Sequence, residues 1–177
     1  MTMTSPGLTP SRAAITCRSC ADADLPFLRH LYGTTRDDEM QRVPWSEEQK
    51  RQFLDLQFRA QKQHYEAYYP ECAFLVIELE GQAIGRLYVD RGVEDIQIID
   101  IALLPGHRGR GIGRMLMEEI LDEGRSTGKR VTIYVEHDNP ARHLYDRLGF
   151  QHMDTNGVYH LMEWRAAGKG RSWSSRR

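Results

Sequence analysis

The segment from residue 106 to residue 114 has the residue types and the spacing best suited to bind an anion. Its glycines alternate where an apolar, strand-like run gives way to a helical pattern, at Gly109, Gly111 and Gly113. Glycine lets the backbone approach a ligand closely, and the N–H groups at the start of a helix favour negative charge. Three arginines and no acid lie in the same segment: Arg108, Arg110 and Arg114. We therefore expect this loop to bind a diphosphate group.

The spacing of the glycines excludes two familiar nucleotide-binding motifs. A G-x-G-x-x-G fingerprint that begins at Gly109 needs glycine at position 114, where the sequence has arginine. The G-x-x-x-x-G-K-[ST] pattern of P-loops occurs nowhere in the chain. Taken alone, the loop is also compatible with an ordinary strand-to-helix connection that carries solvated arginines.

The elements that must position this loop follow from hydrophobic periodicity and from turn residues. Strands are predicted at residues 14–20, 73–79, 83–90, 95–104, 130–136, 150–154 and 158–165. Helices are predicted at residues 24–32, from Ser46 up to Pro70, and at residues 111–126 and 139–148. Residues 33–44 are predicted to form a polar loop. This order indicates an α/β architecture, a sheet with helices packed on it.

Two sequence blocks together resemble one protein family. Arg108-x-x-Gly111-x-Gly113 is similar to the acetyl-CoA-binding motif R/Q-x-x-G-x-G/A of the GNAT superfamily of N-acetyltransferases. About thirty residues later, NPARHLYDRLGF at 139–150 resembles the N-x-x-A-x-x-L-Y-x-x-x-G-F block of the same superfamily. The resemblance covers residues 14 to 165, and its specific part runs from 98 to 150.

The resemblance implies the GNAT acyl-CoA N-acyltransferase fold. This is a mixed, mostly antiparallel sheet of about six to seven strands with about four flanking helices. Its fourth and fifth strands, here 95–104 and 130–136, would splay apart to admit the acyl-CoA arm. The GNAT domain would cover residues 13–165, between a flexible tail at 1–12 and a flexible basic tail at 166–177.

The same resemblance implies acetyl-CoA as cosubstrate, without a metal. Pantetheine would contact the main chain at the end of the fourth strand, pyrophosphate the amides from Arg108 to Gly113, and a phosphate the side chain of Arg114. Asn139 would line the arm. The cofactor-binding residues are therefore expected to be Ile101, Leu103, Arg108, Gly109, Arg110, Gly111, Ile112, Gly113, Arg114 and Asn139.

The implied reaction is acetyl transfer to a primary amine that attacks the thioester directly. The Leu103 amide is the candidate oxyanion donor. Tyr145 occupies the family's general-acid position, and a phenol stays protonated at neutral pH, so it can donate to the departing thiolate.

The general base stays open. Relatives often place Glu or His on the face of the fourth strand that here carries Gln97 and Ile99, and neither residue can take a proton at neutral pH. Asp100 points to the opposite face unless a bulge redirects it. Asp100 is our candidate for base or substrate anchor, with Glu136 or a water chain as the alternatives.

The acceptor is expected to be a small molecule or a peptide. The resemblance implies that the first two predicted helices and their loop cover the acceptor cleft. That region carries five acids, which could attract a cationic amine or could simply be solvated: Asp37, Asp38, Glu39, Glu47 and Glu48. The missing base on the fourth strand also leaves a non-catalytic acyl-CoA-binding sensor as a second hypothesis.

Composition narrows the other functions. The 177 residues contain 24 Lys+Arg against 25 Asp+Glu, a formal charge of −1, which argues against a nucleic-acid partner. No apolar run approaches the length of a membrane helix, and residues 1–12 lack the apolar core of a signal peptide, so we expect a cytoplasmic protein.

Cys17 and Cys20 form a single CxxC, to which we ascribe no metal or redox role. The strands of the C-terminal hairpin could pair in a homodimer, although nothing in the sequence requires it.

Overall fold

Seven strands and five α-helices make up the fold in this computed structural model, which describes residues 8 to 168. The strands are β1 Ile15–Ser19, β2 Ala73–Leu79, β3 Gln82–Arg91, β4 Asp95–Leu103, β5 Arg130–Glu136, β6 Gln151–Asn156 and β7 Tyr159–Trp164. The α-helices are α1 Leu25–Thr34, α2 Asp37–Gln41, α3 Glu47–Tyr68, α4 Ile112–Thr127 and α5 Arg142–Arg147. Residues 1–7 and 169–177 of the two predicted tails lie outside the described residues.

The strands form one mixed sheet in the order β1-β2-β3-β4-β5-β7-β6. The pairs β1–β2, β2–β3, β5–β7 and β6–β7 are antiparallel. The last strand, β7, lies between β5 and β6, so β7 rather than β6 is the strand of the C-terminal hairpin that pairs with β5. The predicted α/β class and the mixed, mostly antiparallel sheet of six to seven strands are confirmed.

The prediction of a continuous polar loop from residue 33 to residue 44 is wrong. Residues Asp37–Gln41 form the short helix α2. Its acidic first turn complements the positive end of the helix, and Met40, which is only 6% exposed, anchors it in the core. A five-residue helix has too little periodicity to be recognised in sequence, because it is shorter than two turns.

The long helix α3 begins where its capping signal predicts. The Ser46 hydroxyl accepts a hydrogen bond from the Gln49 N–H at 3.2 Å, and the Gln49 side chain accepts one from the Ser46 N–H at 2.9 Å. This reciprocal pair satisfies two N–H groups that a helix start otherwise leaves unbonded. The predicted helix at 139–148 is shorter than expected, because residues 139–141 form a turn that precedes α5.

The chain divides into two compact units, Met1–Arg91 with Ile98–Leu116, and Gly92–Gln97 with Met117–Arg177. In the first unit, Leu28 and Tyr32 of α1 are buried with Phe58 of α3. In the second, α4 packs closely on β5 and β7, because a Cβ added to Gly124 would lie 2.9 Å from Val131 and 3.3 Å from Trp164. None of the helices within residues 8–168 is long and apolar enough to cross a membrane.

Candidate functional site

The glycine- and arginine-rich loop joins the end of β4 to the start of α4, in the first unit. Gly109 and Gly111 have φ angles of 69° and 78°, in the left-handed region that costs other L-residues about 1–2 kcal/mol. The Met115 N–H donates to the Gly111 carbonyl at 3.0 Å, so the first helical hydrogen bond of α4 starts at Gly111. The N–H groups of the first turn therefore lack acceptors within the helix, and they make this helix start suited to an anion.

Arg108 fixes the shape of this loop. Its Nε donates to the Leu103 carbonyl at 2.8 Å and its Nη2 to the Thr34 hydroxyl at 3.2 Å, so the side chain ties the loop to the end of β4 and to α1. Its N–H donates to the Pro105 carbonyl at 3.3 Å. The geometry thus gives Arg108 a positioning role within the loop, in addition to any contact with a ligand.

The chain near its N-terminus lies against the same loop. Arg110 donates from Nη2 to the Leu8 carbonyl at 3.4 Å, and its Nη1 lies 3.4 Å from Nδ1 of His107. A Cβ on Gly111 would lie 3.2 Å from Thr9. Residues 8 and 9, which the sequence placed in a flexible tail, therefore border the glycine- and arginine-rich loop.

Asp100 of β4 lies in a polar network with β3 and α3. Its Oδ2 accepts hydrogen bonds from Nη2 of Arg86 at 2.6 Å and from the Tyr65 hydroxyl at 3.2 Å. Arg86 is only 3% exposed, and its Nη2 also donates to Oε1 of Gln61 at 2.9 Å. Burial lowers the pKa of Arg86, but the Asp100 charge and the nearby tyrosines outweigh it, so the net shift is upward and the guanidinium stays charged.

A cavity of about 180 Å³ adjoins this network in the first unit. It is lined by Cys20, Ala21, Asp22, Leu25, Leu28, Phe58, Gln61, Lys62, Tyr65, Glu66, Phe74, Arg86 and Tyr88. The Tyr88 ring contacts the rings of Phe74 at 4.9 Å and Tyr65 at 6.0 Å between centroids, both edge to face. Burial raises the pKa of Tyr88 and that of the Cys20 thiol, so both groups stay protonated at neutral pH.

In the second unit, the segment from 139 to 150 builds the start of α5 and the aromatic contact behind it. Asn139 accepts a hydrogen bond on Oδ1 from the Ala141 N–H at 2.9 Å, which shapes the turn before the helix. Tyr145 is 4% exposed, and its ring lies 5.8 Å from that of Phe150. Both residues therefore have structural contacts, beside the roles that the resemblance implies.

The acidic residues near the helix starts are largely engaged with neighbouring basic side chains. Glu39 pairs with Arg36 at 3.4 Å, and Glu47 pairs with Lys50 at 3.3 Å. Glu48 pairs with Arg51. These contacts, together with their places in the first turns of α2 and α3, account for the acids without a ligand.

The polar network around Arg86 was missed by sequence reasoning. Two signals could have revealed it. One is a charged residue within the apolar run AIGRLYV, and the other is Gln61, which has helical spacing to Phe58 and Tyr65 on one face of α3. Each is a polar residue on a face that periodicity assigns to the core, and buried polar residues need partners. Which partners they find is decided by β4, distant in sequence from α3.

Residues 32–150 match the model of the Acetyltransferase (GNAT) family. The chain belongs to that family. The predicted GNAT membership, made from two short motifs, is thereby confirmed.

Individual relatives match this chain over less than half of its length. The streptothricin acetyltransferase of Streptomyces lavendulae is 37% identical over 81 residues, 44% of this chain and 43% of the relative. The [ribosomal protein bS18]-alanine N-acetyltransferase of Haemophilus influenzae is 28% identical over 81 residues, 45% of this chain and 56% of the relative. The chain thus spans about half the length of these curated relatives.

A solved structure shows the same fold over nearly its whole length. The PaiA N-acetyltransferase of Thermoplasma acidophilum, in complex with coenzyme A, superposes with a TM-score of 0.66 at 20% identity. The match covers 86% of this chain and 99% of that one. It establishes that the GNAT fold extends beyond residues 32–150.

Proposed function

We propose that the protein is an acetyl-CoA-dependent N-acetyltransferase that acts on a primary amine of a small molecule or a peptide. The observation that carries this proposal is the loop from Arg108 to Arg114, where two left-handed glycines precede the start of α4. The pyrophosphate of acetyl-CoA would bind the amides of this loop from Gly109 to Gly113. Arg110 and Arg114 supply positive charge beside it.

The reaction forms one bond and breaks one. The amine nitrogen attacks the thioester carbonyl, a C–N bond forms, and the C–S bond breaks to release coenzyme A. The nitrogen loses a proton, and the sulfur gains one. We propose the Leu103 amide as the oxyanion donor, the Ile101 and Leu103 main chain as the pantetheine contact, Asn139 as a further cofactor contact, and Tyr145 as the acid that protonates the thiolate.

We propose that Asp100 serves as a substrate anchor indirectly, by holding Arg86 in place, rather than as the base. A base must have an oxygen within hydrogen-bonding reach of the proton that it takes. Oδ2 of Asp100 already accepts from both Arg86 and Tyr65. Glu136 or a chain of water molecules is therefore proposed to accept the proton that the amine loses.

The names of the similar proteins support this function. One relative is named for the acetylation of streptothricin and another for the N-acetylation of an alanine of ribosomal protein bS18. The PaiA structure contains coenzyme A. These names favour an enzyme over the alternative of a non-catalytic acyl-CoA-binding sensor.

Two measurements on the full chain test the proposal. Isothermal titration calorimetry with coenzyme A should show one binding site per chain. A Gly109→Ala variant should bind coenzyme A more weakly. Release of the coenzyme A thiol from acetyl-CoA should then depend on an added amine from a panel of amino acids, peptides, polyamines and aminoglycosides. Tight binding without thiol release for any amine would support the sensor, and absence of binding would overturn both hypotheses.

A further inference from the structure

The cavity of the first unit has an apolar body. Leu25 and Leu28 of α1, Phe58 of α3 and Phe74 of β2 all contribute to its lining. Phe58 is 3% exposed and belongs to the core, whereas Phe74 and Leu25 are half-buried. A lining of this composition suits an apolar or aromatic group of a ligand better than a hydrated cation.

The polar end of the cavity is formed by a buried arginine. Arg86 lines the cavity with its guanidinium 5.2 Å from the centre of the Tyr88 ring, and its Nε has no hydrogen-bond acceptor among residues 8–168. A buried ion pair such as Arg86–Asp100 contributes little net stability, because both charges lose their hydration. A guanidinium held in place by other side chains is well suited to recognise a carboxylate or a carbonyl oxygen.

The outer part of the lining is charged differently. Asp22 and Glu66 are exposed, and Lys62, which pairs with Glu66, is half-buried. Two carboxylates against one ammonium leave this part of the lining with a surplus of negative charge. This charge favours the approach of a ligand's ammonium group. It disfavours a ligand that carries a carboxylate at this part of the cavity.

The arginine end lies close to the segment of β4 that the proposed function assigns to acetyl-CoA. Gly85 directly precedes Arg86, and a Cβ on Gly85 would overlap the Ala102 carbonyl and lie 2.7 Å from Cδ2 of Leu103. The Leu104 N–H donates to the Ile84 carbonyl at 2.8 Å. Arg86 also donates directly to Asp100, which precedes Ile101 in β4, so the polar end of the cavity lies beside the main chain expected to contact the pantetheine arm.

We propose that this cavity binds the acceptor, and that the acceptor is an α-amino acid or the N-terminal residue of a peptide, with an apolar side chain. The side chain would occupy the apolar body, and the carboxylate or the amide carbonyl would accept hydrogen bonds from Arg86. The proposal rests on the proposed function, whose acceptor it specifies. A polyamine or an aminoglycoside lacks the apolar group that the cavity accommodates.

Binding to the full chain saturated with coenzyme A tests this without turnover, because coenzyme A carries no acetyl group. The probes are L-phenylalanine and phenethylamine, which share the same body and amine and differ in the carboxylate. We expect L-phenylalanine to bind at least about tenfold more tightly by isothermal titration, because only it has an acceptor oxygen for Arg86. Equal affinities, or binding of phenethylamine alone, would overturn the role of Arg86.

A substitution that fills the cavity is the second test. Leu25→Trp places a larger ring in the cavity and should weaken L-phenylalanine binding at least about tenfold, while coenzyme A binds as before. Leu56→Trp is the matched control, since Leu56 is 65% exposed on α3 and lies outside the cavity. Unchanged affinity in Leu25→Trp, with the variant shown to be folded by its cooperative unfolding, would exclude the cavity as the acceptor site.

Arg86→Lys supplies the third arm, since it keeps the charge beside Asp100 and removes the planar array of donors. We expect the preference for L-phenylalanine over phenethylamine to shrink toward unity, a change in selectivity that simple destabilisation does not produce. L-Phenylalaninamide and a Phe-Gly dipeptide then distinguish a free amino acid from a peptide N-terminus as the acceptor. A site for free amino acids requires the carboxylate, whereas a site for a peptide N-terminus requires only the carbonyl and binds both probes.

Failure of this proposal and failure of the proposed function give different results. If coenzyme A does not bind, the function is wrong, and titration of L-phenylalanine into the ligand-free chain still tests the cavity. If coenzyme A binds and thiol is released only with polyamines or aminoglycosides, the function stands and the acceptor assignment is wrong.

Discussion

Arg86 of β3 and Asp100 of β4 form an ion pair of 2.6 Å in which the arginine is only 3% exposed. Tyr65 and Gln61 of α3 complete the network, so one helix and two strands meet at this pair. A buried arginine without its counter-charge is costly, and this makes Asp100 important to the fold whatever its part in the chemistry.

Asp100→Asn should therefore destabilise the protein by about 3 kcal/mol or more, because it leaves the Arg86 charge buried and unpaired. The free energy of unfolding from urea titration measures this, with Asp95→Asn as the control, since Asp95 has a salt bridge of 3.9 Å to the partly exposed Arg130. In the fraction that remains folded, the pH dependence of acetyl transfer should keep its shape. A profile whose limb disappears in Asp100→Asn would instead identify Asp100 as the base.

Replacing the left-handed glycines should weaken cofactor binding. Gly109→Ala and Gly111→Ala each force a side chain into positive φ, which costs about 1–2 kcal/mol, and at Gly111 the added Cβ would also crowd Thr9 at 3.2 Å. The free loop can relieve this strain by leaving the left-handed conformation, and binding must then restore it, so we expect the Kd for coenzyme A to rise about tenfold in both variants. Gly106→Ala is the matched control, because a Cβ there meets nothing within 4 Å. Equal effects at all three positions would show that the left-handed geometry is not what binds the ligand.

Tyr145→Phe keeps the ring that contacts Phe150 and removes the hydroxyl. If the phenol protonates the leaving thiolate, kcat should fall about 100-fold, the usual scale of a general acid, while the Kd for coenzyme A changes little. Tyr134→Phe, at a tyrosine that is 48% exposed, controls for the loss of a hydroxyl from the same unit. An unchanged kcat in Tyr145→Phe would leave the ring with a packing role only.

His160, one of three neighbouring histidines in the second unit, should make stability depend on pH. Nδ1 of His137 lies 2.6 Å from Nε2 of His160, and the ring of His152 lies 4.8 Å from that of His160. Desolvation by its surroundings lowers the pKa of His160, and the charges of Arg142 and the two other histidines lower it further. The folded state therefore favours neutral His160, and below the unfolded-state pKa of about 6.5 the unfolded chain binds more protons.

The free energy of unfolding should accordingly decrease as the pH falls from about 7.5 to about 5.5, through the unfolded-state value. His160→Gln should flatten this dependence, and His30→Gln, at an exposed position in the other unit, should not. Parallel pH profiles for wild type and His160→Gln, measured by denaturant titration, would contradict the prediction.

Local signals were sufficient for most elements of the fold. The Ser46–Gln49 capping box, the predicted strands at 73–79 and 130–136, and the glycine loop before α4 depend on residues close together in the chain. Such signals work because caps, turns and periodicity are decided within a few residues. The short helix α2 escaped them, since its stability comes from the burial of Met40 in tertiary contacts.

By itself, the sequence determined the family, through the motif from Arg108 to Gly113 and the block at 139–150, and with it the expectation of an acetyl-CoA site. Only the tertiary structure placed Gln61 and Tyr65 of α3 beside Arg86 and Asp100, at the end of an apolar cavity. The physical reason is that side chains from segments far apart in the chain acquire their partners through packing. No local pattern encodes which carboxylate a buried arginine will meet.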